Sequence, residues 1–183
     1  MDAAARVRED AYVSLYEAVY PDLLRFVQRR VHGDHAQDVV AEALLVVWRR
    51  LEELPAAHDD ARAWVFGIAR HVLLNAHRGE QRRWALGVRL AEVTAPQTGD
   101  IDEFVARLDL RRAWDLLSER HQESLALAVL DGFTSPQAAA VLDISPVAFR
   151  LRLSRARRAL RLHLDHLAPF IPTATASDRT PQP

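Results

Sequence analysis

Apolar residues recur along this chain at spacings of three and four, which place them on one face of an α-helix. A first run covers residues 12–31, and Pro21 within it predicts a kink or the start of a second helical half. A second stripe covers residues 36–54, and a third helix begins near residue 60 and continues to about residue 83. We find no strand run and no internal repeat, so the chain is predicted to be all-α.

The periodicity is lost at "EVTAPQTGDID", residues 92–102, whose Pro, Gly, Thr and Asp are typical of a linker. The predicted organisation is two small helical domains, at residues 1–90 and 105–168, joined by a flexible linker at 91–104. Such a linker lets the two halves dock at separate places. The polar, Pro-rich residues 169–183 are predicted to form a disordered tail.

Helix-start and helix-stop residues in the second half follow the order of a helix-turn-helix. After a predicted helix over 118–130, Thr134 is a suitable N-cap, and Pro136 falls in the first helical turn, where proline is tolerated. Asp143 stands where the chain must turn, and the Ser-Pro pair at 145–146 begins another helix in the same way. Two short helices joined by a turn of three or four residues, the second one basic, predict a DNA-binding helix-turn-helix.

The second of these helices has one apolar stripe and is cationic over most of its remaining surface. Phe149, Leu153, Ala156 and Leu160 share one face and are predicted to pack inward. The rest of the wheel holds Arg150, Ser154, Arg158 and Arg161 on the far side, Arg157 beside them, and Arg152 and Arg155 on the other shoulder. Such a rod suits the major groove, where phosphates line the rims and base edges the floor. Leu151 on the exposed arc either contacts a thymine methyl group or packs against a neighbouring helix.

The formal net charge of −1 hides two basic segments separated by acidic ones. Residues 144–164 hold six arginines and no acid, and residues 62–89 hold six arginines against Glu80 alone. Residues 34–60 and 92–143 are acidic. This pattern predicts two places that bind a polyanion. Because the chain has no lysine, the choice of arginine is uninformative and only the positions count.

Composition also narrows the cellular setting. The absence of cysteine excludes a disulfide framework and a thiolate metal site, and favours a reducing cytoplasm. The first ten residues mix acids with arginines and precede no apolar run, which argues against a signal peptide. No segment approaches the roughly 20 apolar residues of a membrane span, so no membrane insertion is expected.

The third predicted helix combines aromatic residues with the first basic segment. Its stacking, hydrogen-bonding and cationic side chains are those that single-stranded DNA requires: Trp64, Phe66, Arg70, His71, Asn75, Arg78, Arg82 and Arg83. The alternative for Trp64 is a place in the core. The second predicted helix is apolar on more than half its circumference, so it either binds a partner or lies at the centre of its own domain.

Three segments in order, "HAQDVVAEALLVVWRRLEEL", "ARAWVFGIARHVLLNAHRGEQRR" and "LSERHQESLALAVLDGFTSPQAAAVLDISPVAFRLRLSRARRAL", resemble conserved regions 2 and 4 of bacterial RNA polymerase sigma factors of the extracytoplasmic-function group. The resemblance covers about residues 10–165. It implies a promoter-recognition subunit whose first domain binds the core polymerase and melts the minus-10 element, while the second reads the minus-35 element as duplex. It also implies an anti-sigma partner, no cofactor, and no catalytic residue in this chain.

The resemblance assigns residues to each of these roles by position. The core polymerase-binding helix is matched by Asp38, Val39, Glu42, Leu45 and Trp48. The segment that reads the melted non-template strand is matched by Arg70, His71, Asn75 and Arg78, with Trp64, Arg82 and Arg83 beside them. The minus-35 surface is matched by Arg150, Arg152, Ser154 and Arg155, with Thr134 and Arg158 at its edges.

The chain departs from the family pattern at several of these positions. His71 stands where the family often has Asn, next to the base pocket. Val147 and Ala148 replace Gly and Thr at the head of the recognition helix, and Leu151 replaces a Ser. Fewer polar groups then reach base edges, so the minus-35 preference is predicted to rest more on DNA shape and phosphate contacts. Asp143 replaces a turn Gly and is expected to tolerate a left-handed backbone at some cost.

Two other classes of function compete with this interpretation. One is a helix-turn-helix regulator whose first domain senses a ligand or dimerises, which would bind duplex sites without polymerase. The other is an enzyme, but the six glycines are scattered singly and no nucleophile-base arrangement is visible. The histidines of "HGDH" at 32–35, with His163 and His166, are interpreted as surface or capping residues rather than metal ligands.

Overall fold

The computed structural model describes residues 3–31, 33–79, 88–90 and 101–167, and these residues form seven α-helices without a strand. The first half holds α1 (Ala3–Gln28), α2 (Gly33–Arg49), a 3₁₀ turn (Leu51–Glu53) and α3 (His58–Gly79). The second half holds α4 (Ile101–Asp115), α5 (Glu119–Leu125), a π-helical turn (Ala126–Leu130), α6 (Ser135–Leu142) and α7 (Pro146–Leu167). No described helix is long and apolar enough to cross a membrane.

The helical pattern of the sequence is confirmed, but several boundaries differ. Pro21 lies inside one continuous α1, although the sequence left open a second start there. The second helix stops at Arg49, and a 3₁₀ turn carries the chain on, because this tighter turn keeps Leu51 in the core. The basic helix α7 has 22 residues and is therefore not short. Residues 91–100, which are most of the predicted linker, and the predicted tail, residues 169–183, lie outside the described residues.

The predicted helix over 118–130 changes geometry within its length. It is α-helical to Leu125 and continues as a π-helical turn, in which the Asp131 amide donates to the Ala126 carbonyl at 2.9 Å. Gly132 then takes a φ of 69°, a left-handed value that costs glycine little. The extra residue in the turn changes the direction of the side chains that follow. Asp131 and Phe133 both end up buried.

Buried side chains of both halves form one continuous core. Three aromatic rings lead from one half to the other: the Phe26 and Phe66 centroids are 5.0 Å apart, and so are those of Phe66 and Phe133. Helix α3 packs against α2 on one side and α6 on the other. The sequence predicted two halves that dock on partners separately, and in this free chain the halves lie against each other.

A short segment at residues 88–90 ties the halves together by hydrogen bonds. The Val88 amide donates to Gln122 Oε1 at 3.0 Å, and the Val88 carbonyl accepts from Trp114 Nε1 at 2.5 Å. On the other side, the Arg89 amide donates to the Arg29 carbonyl at 2.9 Å. Val88 is itself buried. These bonds join the end of α1 to α4 and α5.

Candidate nucleic-acid interface

The predicted helix-turn-helix is formed by α6, the turn after it, and α7. Thr134 is the N-cap of α6, and its amide donates to Gln137 Oε1 at 2.9 Å. Asp143 ends α6 in the left-handed conformation, at φ 54° and ψ 49°, which confirms the predicted turn position. Ser145 Oγ then accepts from the Ala148 amide at 3.1 Å and begins α7. The caps and the turn therefore act as the sequence predicted.

Helix α7 is anchored by one face and offers its arginines to solvent. Phe149, Leu153 and Ala156 are buried, and Leu160 is half-buried. The exposed residues are Arg150, Ser154, Arg155, Arg157, Arg158 and Arg161, while Arg152 is half-buried. Within the described part of the chain, no carboxylate pairs with any of these arginines. This face is therefore an uncompensated cationic surface of the length of a DNA-reading helix.

The centre of this cationic face is apolar. Val147 is 56% exposed and Leu151 is 54% exposed, four residues apart and thus one turn apart on the same side. Of the two interpretations of Leu151, packing against a neighbouring helix does not agree with this exposure. Two aliphatic side chains flanked by guanidinium groups form a surface that can contact thymine methyl groups between phosphate contacts.

The second predicted DNA surface, on α3, is divided between two faces of the helix. His71 and Asn75 are exposed, and Trp64 beside them is half-buried with the Arg50 guanidinium carbon 5.7 Å from its ring centre. Arg70 points elsewhere, into an ion pair with Glu123. Arg78 falls in the last turn of α3, and Arg82 and Arg83 lie outside the described residues. The structure thus brings Trp64, His71 and Asn75 together and separates Arg70 from them.

Helix α6 borders this outer face of α3. A cavity of about 370 Å³ is lined by Trp64 and His71 on one side and by Pro136, Gln137 and Ala140 of α6 on the other. A nucleic-acid strand that approaches Trp64 therefore meets the second half of the chain as well. No group of three or more described His, Asp or Glu side chains is arranged to hold a metal ion.

The residues predicted to bind the polymerase lie on α2. Asp38, Glu42, Leu45 and Trp48 are exposed, Leu45 by 56%. Val39 is buried in the core beneath this exposed face, so only the other four residues are accessible on it.

The Trp48 end of this surface is shaped by the start of α1. The Trp48 ring meets Tyr12 edge-on at 5.1 Å, and the Arg8 guanidinium carbon lies 4.9 Å from its centre. An apolar cavity of about 830 Å³ continues from Trp48 along α1 to Leu51 and Leu54. The polymerase candidates thus border an open apolar groove.

Sequence reasoning missed a charged cluster where the halves meet. Asp131 is buried and accepts a hydrogen bond from the Arg29 guanidinium, while its backbone carbonyl accepts from Arg62 Nη2 at 2.9 Å. Burial raises the pKa of Asp131, and the neighbouring arginines oppose that rise. The only signal in the sequence was an acid next to a glycine between two apolar residues, which is also a common turn pattern.

Comparison with known proteins identifies the family of the chain. The chain matches the family models for Sigma-70 region 2 at residues 15–83 and Sigma-70, region 4 at residues 107–160. It is 33% identical over 165 residues to the ECF RNA polymerase sigma factor SigL of Mycobacterium tuberculosis, and the aligned residues cover 86% of this chain and 93% of SigL. It is 28% identical over 139 residues to the RNA polymerase sigma factor CnrH of Cupriavidus metallidurans, with coverage of 70% and 72%.

Two solved structures have a similar fold. CnrH in complex with the cytosolic domain of CnrY matches with a TM-score of 0.60 and 25% identity, over 89% of this chain and 95% of that one. The sigma factor RpoE of Bartonella quintana in complex with the anti-sigma factor NepR matches with a TM-score of 0.56 and 24% identity, over 86% and 96%. The second likeness concerns the fold alone.

Proposed function

The chain belongs to the extracytoplasmic-function group of the sigma-70 family, and we propose that it directs RNA polymerase to its promoters with three separate surfaces. One surface binds the core enzyme, one reads the minus-35 element, and one captures the melted minus-10 strand. The observation that carries the proposal is the unpaired cationic face of α7 within a capped helix-turn-helix. The chemistry of RNA synthesis belongs to the polymerase, so this chain needs no catalytic group.

The minus-35 element is read by α7. Its reading face carries Arg150, Arg152, Ser154, Arg155 and Arg158 around Val147 and Leu151, with Thr134 at the start of α6 toward the DNA backbone. The guanidinium groups bind phosphates and guanine edges, and the two aliphatic residues favour thymine methyl groups. We therefore expect a minus-35 preference with thymines at its centre and a strong contribution from phosphate contacts.

The minus-10 strand is captured by α3 and the residues after it. His71 and Asn75 offer exposed hydrogen-bonding groups beside the Trp64 ring, which suits an unstacked base. Arg70, Arg78, Arg82 and Arg83 are proposed to follow the strand's phosphates. Capture of an extruded base offsets part of the cost of strand opening, which is a few kcal/mol per base.

The core polymerase is bound by the exposed face of α2. Asp38 and Glu42 supply charge, Leu45 and Trp48 supply apolar area, and Val39 supports the helix from below. An exposed leucine and tryptophan flanked by acids are typical of an interface whose centre is apolar and whose rim is polar.

Domain limits, partners and location follow from the same proposal. The polymerase and minus-10 domain covers residues 1–90, the linker 91–104, the minus-35 domain 105–168, and a tail 169–183. An anti-sigma protein is the expected regulator, as the family resemblance implies, and the similar CnrH structure is a complex with a second chain, the cytosolic domain of CnrY. The site of action is the cytoplasm, where the polymerase and promoter DNA are found.

Reconstituted transcription tests the proposal. The purified chain and core polymerase, together and separately, are supplied with a genomic DNA library, and we expect defined transcripts only from the mixture. Tight binding of duplex sites without polymerase, and no transcript with it, would instead identify a simple helix-turn-helix regulator.

Matched variants assign the polymerase surface. Leu45→Asp is expected to weaken core binding about tenfold or more, because a charge replaces apolar area at the centre of the interface. Leu116→Asp is the control, since Leu116 is a leucine of similar exposure, 60%, in the second half of the chain. Equal core affinities for the two variants would place the polymerase elsewhere on the chain.

A further inference from the structure

A seam of opposite charges joins the two halves of the free chain. Four arginines come from the first half and two acids from the second: Arg29, Arg30, Arg62 and Arg70, facing Glu123 and Asp131. Arg70 is also one of the residues proposed to follow the minus-10 strand. The seam therefore involves a part of the DNA-binding machinery.

Glu123 takes the Arg70 guanidinium with both carboxylate oxygens. Arg70 Nε donates to Oε1 at 2.7 Å and Nη2 donates to Oε2 at 3.4 Å. The two side chains are only 18% and 13% exposed, so water competes weakly for the pair. A two-pronged guanidinium contact of this kind is also the one that a phosphate group would make. Glu123 and a nucleic-acid strand therefore require the same N–H donors.

Asp131 provides a second contact across the seam, supported by packing. Besides its contacts to Arg29 and Arg62, it precedes Gly132 and Phe133, and the Phe133 ring lies 5.0 Å from Phe66. The Arg62 guanidinium carbon is 4.3 Å from the Phe133 ring centre. The turn after α5 thus inserts an acid and an aromatic ring into the first half.

The seam contains more positive than negative charge. Arg30 is only 6% exposed, and its Nε and Nη2 have no hydrogen-bond partner, while its Nη1 donates to the Phe26 carbonyl at 2.7 Å. Burial lowers the pKa of Arg30 to about 10, although Asp131 and Glu123 act in the opposite direction. Asp22 of the first half also pairs with Arg62, at 3.0 Å, so three acids face these four arginines and the seam keeps an excess of positive charge.

On the proposed function of α3 and α7, we infer that Glu123 and promoter DNA compete for Arg70, so that the chain alternates between a closed form and an open form. In the closed form α7 is fully available, whereas Arg70 is occupied and α6 borders Trp64 and His71. Duplex contact through α7 therefore precedes strand capture through Arg70. Strand capture requires the seam to open.

The absence of cysteine allows the opening to be measured directly in the full chain. Ala41 on α2 and Ala106 on α4 are exposed, so the pair Ala41→Cys and Ala106→Cys accepts two spectroscopic labels across the seam. The free protein is expected to give one narrow distribution of inter-label distances. Glu123→Gln combined with Asp131→Asn is expected to give a longer and broader distribution.

Strand binding is measured with a fluorescent 12-nucleotide single-stranded DNA of random sequence. Glu123→Gln is expected to bind this probe about tenfold more tightly, because Arg70 no longer has to leave a charged partner. Glu119→Gln is the matched control: it removes the same charge from an exposed position on the same helix. The charge-swapped variant, Arg70→Glu combined with Glu123→Arg, is expected to keep the distance distribution of the parent chain, because the ion pair forms with its charges exchanged. It is expected to show no gain in DNA affinity, because position 70 no longer carries a cation.

The outcomes separate this inference from the proposed function. Equal probe affinities for Glu123→Gln and Glu119→Gln overturn the competition, and so does an unchanged distance distribution in the double variant Glu123→Gln with Asp131→Asn. Failure of the proposed function would appear as absent transcription in the reconstituted system, even if the seam opened as expected, because neither seam measurement contains polymerase.

Discussion

Replacement of Phe133 by alanine tests whether the two halves share a core. The Phe133 side chain is 5% exposed, its ring meets Phe66 nearly perpendicularly at 78°, and the Arg62 guanidinium carbon lies 4.3 Å from its centre. Truncation removes these contacts together and leaves a cavity that spans the seam. Buried Phe to Ala replacements usually cost about 3–5 kcal/mol, and this total includes the loss of the edge-to-face ring contact.

The expected loss is large compared with the stability of an ordinary domain, about 5–15 kcal/mol. Urea unfolding followed by tryptophan fluorescence measures it, since Trp64 reports on the first half and Trp114, which is buried, on the second. The parent chain is expected to unfold in one transition because its core is continuous. Phe133→Ala is expected to unfold at lower urea, and its two halves to unfold in separate steps.

The control is Val129→Ala in the adjacent π-helical turn, where the side chain is 65% exposed and truncation should change stability by about 0.5 kcal/mol or less. A loss below about 1 kcal/mol for Phe133→Ala would refute the reasoning. So would two separate transitions in the parent chain, because halves that unfold independently do not share a core.

Three further changes test other parts of the structure. Arg150→Ala is expected to weaken binding to minus-35 duplex by about 1–3 kcal/mol, measured by fluorescence anisotropy, while Arg161→Ala, about three turns farther along α7, changes it less. Because burial raises the pKa of Asp131 above its ordinary 3.8, the native state holds a proton that the unfolded chain has released. The free energy of unfolding should therefore fall as pH rises from the pKa of Asp131 in the unfolded chain to its higher pKa in the native state. Asp131→Asn should lack this pH dependence in urea titrations at several pH values. Asp143→Gly is expected to raise the free energy of unfolding by about 0.5–1 kcal/mol, seen as a higher melting temperature, because glycine adopts the left-handed φ of 54° without strain; an unchanged or lower value would contradict this account.

Local features of the sequence predicted the local structure well. The cap at Thr134, the turn at Asp143 and the start of α7 were read from single residues, because capping and turn preferences depend on the nearest few positions. The inward face of α7 followed from its period for the same reason. The helical period of the apolar residues did not predict the change to a π-helical turn at 126–130, because their spacing there fits an α-helix equally well.

Long-range contacts were beyond the same reasoning. Arg70 and Glu123 are 53 residues apart in the chain, and Arg62 and Asp131 are 69 apart. A helical period shows which face is buried but not which helix covers it. Val39 illustrates this: by spacing it lay between the apolar and polar faces of α2, and only the packing of α1 and α3 against α2 determines that it is buried.

The two basic segments looked equivalent in the sequence because charge density alone measures attraction to any anion, whether a phosphate or a carboxylate of the same chain. The structure distinguishes them. The arginines of α7 form no ion pair among the described residues, so their charge is available to DNA at once. Arg70 of α3 is paired with Glu123 of the second half, and Arg62 is held by Asp22 and by the Asp131 backbone carbonyl, so their interaction with DNA must displace these partners. On the proposed function this inequality gives the two contacts an order, because the surface that is free binds first and the surface that is occupied binds only when the first contact has brought the strand near.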